Sequence, residues 1–383
     1  MRILYLTDGN LAPHKAPQIH VSQFLKHWHR AGHNVLLRAP RTQDNMPNFE
    51  FPHTWLAHSD IRLLGDWLFQ KRMYRQLKKE LQEKRWDVVY TRQISTFPAL
   101  YRLCREFAVP VVCEVNGFLL DNYATGGASA LKMYLVKRME SAIMRYSSLV
   151  VVPYDALRSR MIEQYAYLND KIVVIENGVD ESLFKHESTL FCREKLKLDS
   201  EVFYVGFVGS FDFYHDVKTM FDAYSMIAEK IQSKRVRYLM VGDGDLRQAM
   251  QMYGQKIGIE TYVDFVGSVP HAQVADYINA SDVMVSLQPK ERMEKLGEAS
   301  SLKVKEYLAC GVPTILSHPA KCKSAFQGIC VHVEPENPIQ FADAVIQVSQ
   351  GDKPSYNAEK LGETYSWSQS ALRLLNHIKN MRG

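Results

Sequence analysis

Two carboxylates, Glu298 and Glu306, stand eight residues apart in the stretch EASSLKVKEYLACGVP, which also holds a Ser-Ser pair and two lysines. Leu302, Val304, Tyr307 and Leu308 fit a short helix over 301–310 with one buried face, and Gly311 and Pro313 supply the breakers that end it. Glu298 then lies just ahead of the helix and Glu306 on its second turn. A helix start leaves unpaired N–H groups at a positive dipole end, so Ser300, Ser301 and Leu302 would offer backbone donors to a phosphate. Glu306 would reach a ribose from the same helix. Read alone, the stretch equally describes an ordinary capped helix with a solvated charged face.

The elements that must position it follow a repeated order. Met1–Thr7 reads as a buried strand opening into the loop DGNLAPHKAPQ, then an amphipathic helix over 19–31, then the strand HNVLLRA. This is a βαβ unit with parallel pairing. Its loop has one glycine, Gly9, where a dinucleotide fold wants three, which argues against a dehydrogenase. His14, Lys15 and His20 fall at the carboxyl end of the first strand, where open α/β sheets place ligands; a solvated loop is the plainer reading. DVVYTR and PVVCEVNG continue the series, with Glu114, Asn116 and Gly117 at a later strand's carboxyl end, and KIVVIENGVD closes a first domain.

Asp180–Ser200 is charged and irregular and reads as an interdomain linker. The pattern restarts with VFYVGFVGSF, RYLMVGDGD, YVDFVGSVP and DVMVSLQP, each strand leaving through glycine or proline into a helix. The expectation is an α/β protein of two doubly wound, Rossmann-like domains facing a cleft, 1–185 and 201–365, with a last helix over 367–381 returning to the first.

Composition narrows the class. A chain of 383 residues with 46% apolar content suits two ordinary globular domains. No run has the length and polarity of a membrane span, and the chain opens on a strand instead of a signal peptide, so a cytoplasmic protein is expected. Six cysteines without CxxC spacing argue against a zinc site or disulfide framework. Residues 1–185 carry 25 Lys/Arg against 18 Asp/Glu, and the rest 22 against 24, so the first half holds all the excess positive charge. That split points to an anionic partner. Two segments concentrate it: 62–85, with eight Lys/Arg beside Trp67, Phe69 and Tyr74, and LKMYLVKRMESAIMRY at 131–146. Each suits a helix on an anionic bilayer at the inner face of a membrane, or a solvated helix packed on the sheet. No nucleic-acid motif accompanies the charge.

In this order, ENGVD with Phe184, VGSF, MVGDGDLR, FVGSVPH, SDVMVS, Glu298 and Glu306 with seven residues between, KEYLACGVP and the late Ser366-Trp367 resemble a glycosyltransferase of the GT-B fold, in the retaining family called group 1 or family 4. The form SLKVKEYLACG is similar to members that assemble bacterial surface polysaccharides. The resemblance implies a nucleotide-diphosphate sugar as donor, a lipid-linked or saccharide acceptor, and transfer with retention. It implies no cofactor and no metal. Glu306 resembles the carboxylate on the donor ribose, and Glu298 the one at the transferred sugar. Ser301 and Leu302 match the backbone donors to the diphosphate, Gly209 and Ser210 the strand end facing it. Gly267, Ser268 and Val269 match the loop edging the nucleobase.

Departures from the family pattern matter as much. An Arg and a Lys expected to neutralise the leaving diphosphate read Ser210 and His215, so Lys303, Lys218 or a protonated His215 would have to substitute, with Lys303 preferred. A family histidine reads Asn116, which keeps hydrogen bonding but cannot act as a base. A sugar-nucleotide epimerase of the same fold class, or a nucleotide-sugar-binding protein without turnover, are the competing functions.

Overall fold

The computed structural model describes residues 1–13, 16–58, 64–83, 86–92, 98–120, 129–213, 215–232, 235–296, 302–318 and 324–381. The chain forms two compact units, Met1–Asn177 with Trp367–Gly383, and Gly178–Ser366.

The first unit is a seven-stranded sheet in the order β3-β2-β1-β4-β5-β6-β7, parallel at every pairing. Its strands are β1 (Arg2–Thr7), β2 (Asn34–Arg41), β3 (His53–Ala57), β4 (Val88–Arg92), β5 (Val111–Glu114), β6 (Leu149–Val152) and β7 (Ile172–Val174). Helices α1 (Ala16–Arg30), α2 (Leu64–Glu83), α3 (Pro98–Glu106), α4 (Ala130–Tyr146) and α5 (Asp155–Gln164) cover it. The near-continuous apolar strands are explained by burial on both faces. In β1 the two-residue period sends Ile3 and Tyr5 into one core and Leu4 and Leu6 into the other.

Helix α2 turns Phe69, Met73, Leu77 and Leu81 inward at four-residue spacing. Its basic residues point outward, and Trp67 stays half exposed with the Lys71 ammonium 3.6 Å from its ring centre. The C-terminal helix Trp367–Asn380 belongs to this unit. It buries Trp367, Ala371, Leu374, Leu375 and Ile378 against Phe24, Leu25 and Trp28 of α1, and the Trp28 indole N–H donates to Ala371 O at 3.1 Å.

The second unit is a six-stranded parallel sheet, β10-β9-β8-β11-β12-β13. Its strands are β8 (Val202–Val208), β9 (Arg235–Val241), β10 (Val263–Gly267), β11 (Val283–Ser286), β12 (Thr314–Ser317) and β13 (Val331–Val333). Its helices are α6 (Thr189–Leu196), α7 (Val217–Asp222), α8 (Tyr224–Lys230), α9 (Arg247–Lys256), α10 (His271–Ala280), α11 (Lys290–Leu296), α12 (Leu302–Ala309), α13 (Pro338–Ser349) and α14 (Ala358–Thr364).

Asp180–Ser200, expected as a linker, is built into this unit, whose boundary falls at Gly178. Phe184 is buried beside Val274, Ile278 and Tyr307. Asn279 on α10 fixes the backbone here by accepting from Glu187 N and donating to Lys185 O. Arg193, only 3% exposed, donates to Ala280 O and Ser200 O and pairs with Asp282. A buried guanidinium is tolerated because its donors are satisfied.

Candidate functional site

Loops behind three neighbouring strands of the second unit are bonded into one shelf. Gly209 N–H donates to Val241 O at 3.0 Å, Phe211 N–H to Asp243 O at 3.0 Å, and Gly242 N–H to Gly267 O at 2.9 Å. Such closeness demands glycine at 242, where φ is +134° and a Cβ would sit 1.8 Å from Gly209 O. Gly244 is held similarly, its Cβ position lying 2.4 Å from Phe211 O. Gly209, Ser210 and Gly267 are therefore neighbours on one rim, with Ser268 exposed and Val269 half-buried on the turn after β10. The Ser210 hydroxyl donates to Asp212.

Tyr307 ties α12 to this rim. Fully buried, its hydroxyl accepts from Val208 N at 3.1 Å and donates to Val208 O at 3.0 Å, directly before Gly209. Lys303, one turn earlier, consequently reaches the β8 end. Its ammonium lies 4.7 Å from the Phe207 ring centre and 3.5 Å from both ring nitrogens of His215, so it is aimed at neither lone pair. Burial, reinforced by the charge of Arg292, pushes Lys303 down to about 7, against the pull of Asp212 and Glu306. A cation near this value changes charge readily when an anion arrives.

Glu306, on the same helix, is 7% exposed, with Oε1 3.7 Å from His271 Nε2. Burial raises its carboxyl above the usual range, although His271 and Lys303 pull the other way. His271 in turn meets Phe184 edge-on at 5.3 Å. Leu302 opens α12 half-buried. Glu298 and Ser301 lie outside the described residues, as do His14 and Lys15.

The remaining expected site residues belong to the first unit. Asn116 is half-buried just past β5 and donates Nδ2 to Glu114 Oε1 at 2.9 Å. His20 is not on an open loop: it is 6% exposed, packed on Phe24 and Trp367, with Nε2 3.3 Å from Glu114. Desolvation lowers His20 to about 4, so the ring is neutral near pH 7. Sequence reading missed Tyr307 as a clamp, Gly242 and Gly244 as spacers, and Arg92 as the partner of Glu114. Only the glycines left a local trace, in the GDG spacing.

Known proteins bear the same signature in both halves. A family profile described as Glycosyltransferase Family 4 matches residues 18–183, and one described as Glycosyl transferases group 1 matches residues 189–364. An uncharacterised glycosyltransferase of Methanocaldococcus jannaschii is 24% identical over 311 residues, 77% of this chain and 75% of its own. The sucrose-phosphate synthase of Thermosynechococcus elongatus superposes with TM-score 0.75 at 17% identity, covering 100% of this chain and 99% of that one. Anabaena HepE, solved with UDP and glucose, gives TM-score 0.72 at 16% identity, covering 99% of this chain and 100% of its own. With a matching profile on each unit and two parallel-stranded Rossmann-like sheets, the chain belongs to the group 1 glycosyltransferases of the GT-B fold.

Proposed function

We propose that this chain is a retaining glycosyltransferase that moves a sugar from a nucleotide-diphosphate donor to an acceptor hydroxyl. The observation that carries the reading is the joint placement of Lys303 and Glu306 on α12 against the backbone shelf at Gly209. A buried carboxylate suits two vicinal ribose hydroxyls, and an ammonium at the glycine-lined rim suits a diphosphate. Lys303 takes over the neutralising role that Ser210 and His215 cannot fill as fixed charges. Glu298, Ser301, Leu302, Ser210, Ser268 and Val269 complete the donor side in this reading, with His14 and Lys15 on the acceptor side. Anabaena HepE was solved with UDP-glucose, which supports a uridine diphosphate sugar as the first donor to try.

The leaving diphosphate accepts the proton of the attacking hydroxyl on the same face of the sugar, so retention needs no second carboxylate. Transition-state stabilisation comes from Lys303 and the α12 dipole, without metal. The acceptor is a saccharide or lipid-linked intermediate of a bacterial surface polysaccharide or glycolipid. Leu131, Tyr134 and Leu135 are exposed on α4 beside Lys132, Lys137 and Arg138, which favours peripheral contact with an anionic membrane over an all-aqueous acceptor. Sedimentation with anionic liposomes tests that contact. Glu306→Ala and Lys303→Ala are each expected to abolish sugar transfer from UDP-glucose or another nucleotide sugar, and unchanged turnover in both sinks the assignment. Sugar analysis after incubation with donor alone separates transfer from epimerisation.

A further inference from the structure

In the first unit, strand register builds a buried charge pair at the carboxyl edge of the sheet. Arg92 and Glu114 are the last register partners of β4 and β5, so both side chains leave the same face, that of Tyr90 and Val112. Arg92 is 6% exposed and Glu114 4%. Arg92 Nε donates to Glu114 Oε1 at 2.8 Å, and the Tyr90 hydroxyl donates to Oε2 at 2.7 Å. With His20 Nε2 at 3.3 Å and Asn116 Nδ2 at 2.9 Å, the carboxylate is surrounded by donors. Burial alone would raise Glu114; His20, then Arg92 and the hydrogen bonds from Asn116 and Tyr90, outweigh it and hold the carboxyl below its usual value.

An ionised carboxylate only accepts hydrogen bonds, which decides which end of the Asn116 amide faces it. Nδ2 must point to Glu114, and Oδ1 must point away. Asn116 is half-buried, and among the described residues its Oδ1 takes part in no hydrogen bond while its Nδ2 is held by Glu114. We propose that Glu114 is a positioning residue: by holding Asn116 Nδ2 it turns the Asn116 carbonyl oxygen outward as a fixed acceptor for a substrate hydroxyl. The partner must donate, so a sugar hydroxyl fits and a carboxylate or phosphate oxygen is repelled. This rests on the glycosyltransferase reading and adds a residue to it. Asn116 touches substrate; Glu114 acts through Asn116; Arg92 keeps Glu114 charged.

The test is a double-mutant cycle read as kcat and KM for release of the nucleoside diphosphate, the glycosyl group passing to water or to an added saccharide, from a panel of nucleotide-diphosphate sugars beginning with UDP-glucose. Asn116→Ala is expected to lower kcat about 10-fold, the scale of one lost hydrogen bond. Glu114→Gln offers Asn116 both a donor and an acceptor, frees the amide to flip, and is expected to cost about 5-fold or more. In the Asn116→Ala background, Glu114→Gln should cost under about 2-fold, because there is no longer an amide to position. Additive losses, or Asn116→Ala at the wild-type rate, overturn the proposal.

Should Glu114→Gln fail to fold with Arg92 left unpaired, Asn116→Asp serves instead. It keeps an outward oxygen but sets a second carboxylate against Glu114, so the pair must share a proton. Its rate relative to wild type should then fall at least about 10-fold as pH rises from 5 to 8. A constant ratio across that range overturns the coupling. A wild-type chain that turns over no donor in the panel overturns the proposed function, and the role of Asn116 with it; an active wild type with an additive cycle overturns the present inference alone.

Discussion

Donor binding should draw a proton onto Lys303. In the free protein its ammonium is pushed down to about 7 by burial and by Arg292, so at pH 8 about 0.1 of the molecules carry the charge. A diphosphate arriving at the Gly209 rim brings negative charge close by and restores the charged form. If the bound pKa exceeds about 9, uptake is about 0.5 proton per donor at pH 7 and about 0.9 at pH 8. Charging Lys303 from a pKa of about 7 costs about 1.4 kcal/mol at pH 8, a 10-fold weaker affinity than at pH 6.

Calorimetric titration with UDP-glucose in buffers of different ionisation enthalpy counts the protons directly. Its diphosphate is a diester without a titration in this range, which keeps the ligand's own protons out of the count. Lys303→Arg should bind with a flat profile from pH 6 to 8, because guanidinium stays charged. Lys303→Met should bind more weakly with uptake lost, and His215→Asn should retain uptake. Uptake below about 0.2 at pH 8 in wild type, or equal uptake in Lys303→Met, refutes the reasoning.

The fold itself supplies further expectations. Gly242→Ala drives a Cβ to 1.8 Å from Gly209 O and should destabilise the second unit by about 3 kcal/mol or more and remove nucleotide-sugar binding. Gly254→Ala, in α9 with its Cβ an ordinary 3.6 Å from Phe221, should be neutral or gain up to about 1 kcal/mol in denaturant melts. Tyr307→Phe leaves Val208 N–H and O without their partner and should cost about 1–3 kcal/mol, read by urea unfolding, while weakening donor binding. His20, at about 4 in the fold and near 6.5 unfolded, binds fewer protons native than unfolded between those values. Stability of the first unit should therefore fall by about 3 kcal/mol as pH drops from 6.5 to 4. All five tryptophans, at 28, 55, 67, 86 and 367, lie in that unit, so their fluorescence follows it selectively; a flat response, or the same slope in His20→Gln, refutes the assignment.

Period and punctuation made the two parallel sheets legible, because a strand buried on both faces is a run of apolar residues wherever it occurs. They also placed α12, whose Gly311 and Pro313 are local signals. What local pattern could not carry were contacts closed by distant chain. Asp180–Ser200 looks like solvated linker, yet Arg193 finds its acceptor carbonyl on Ala280, 87 positions away. His20 stands at the start of the expected helix beside a polar loop, and it is buried against Phe24 of that helix and the Trp367 ring, which the last helix brings from far along the chain. Tyr307 reads as one more core aromatic. Its hydroxyl became a clamp because Val208, 99 positions earlier, ends its strand beneath it.

Those long-range closures bear on how a leaving phosphate is neutralised here. An Arg on the β8 loop would be charged at every working pH; with Ser210 there instead, the proposed function gives the task to a side chain on α12. That helix is anchored by Tyr307 and flanked by Phe207, so the replacement cation is partly desolvated before any ligand arrives. A lysine in that setting is only partly charged at pH 7 and mostly neutral at pH 8 until phosphate recharges it, whereas a guanidinium there would stay a fixed buried charge. If Lys303 does compensate for Ser210, the same contacts should make donor affinity depend on pH. A group 1 relative with Arg in the β8 loop should lack that dependence, and grafting it here as Ser210→Arg together with Lys303→Met should flatten the profile without losing the donor. Retained proton uptake in that double variant would place the titrating group elsewhere.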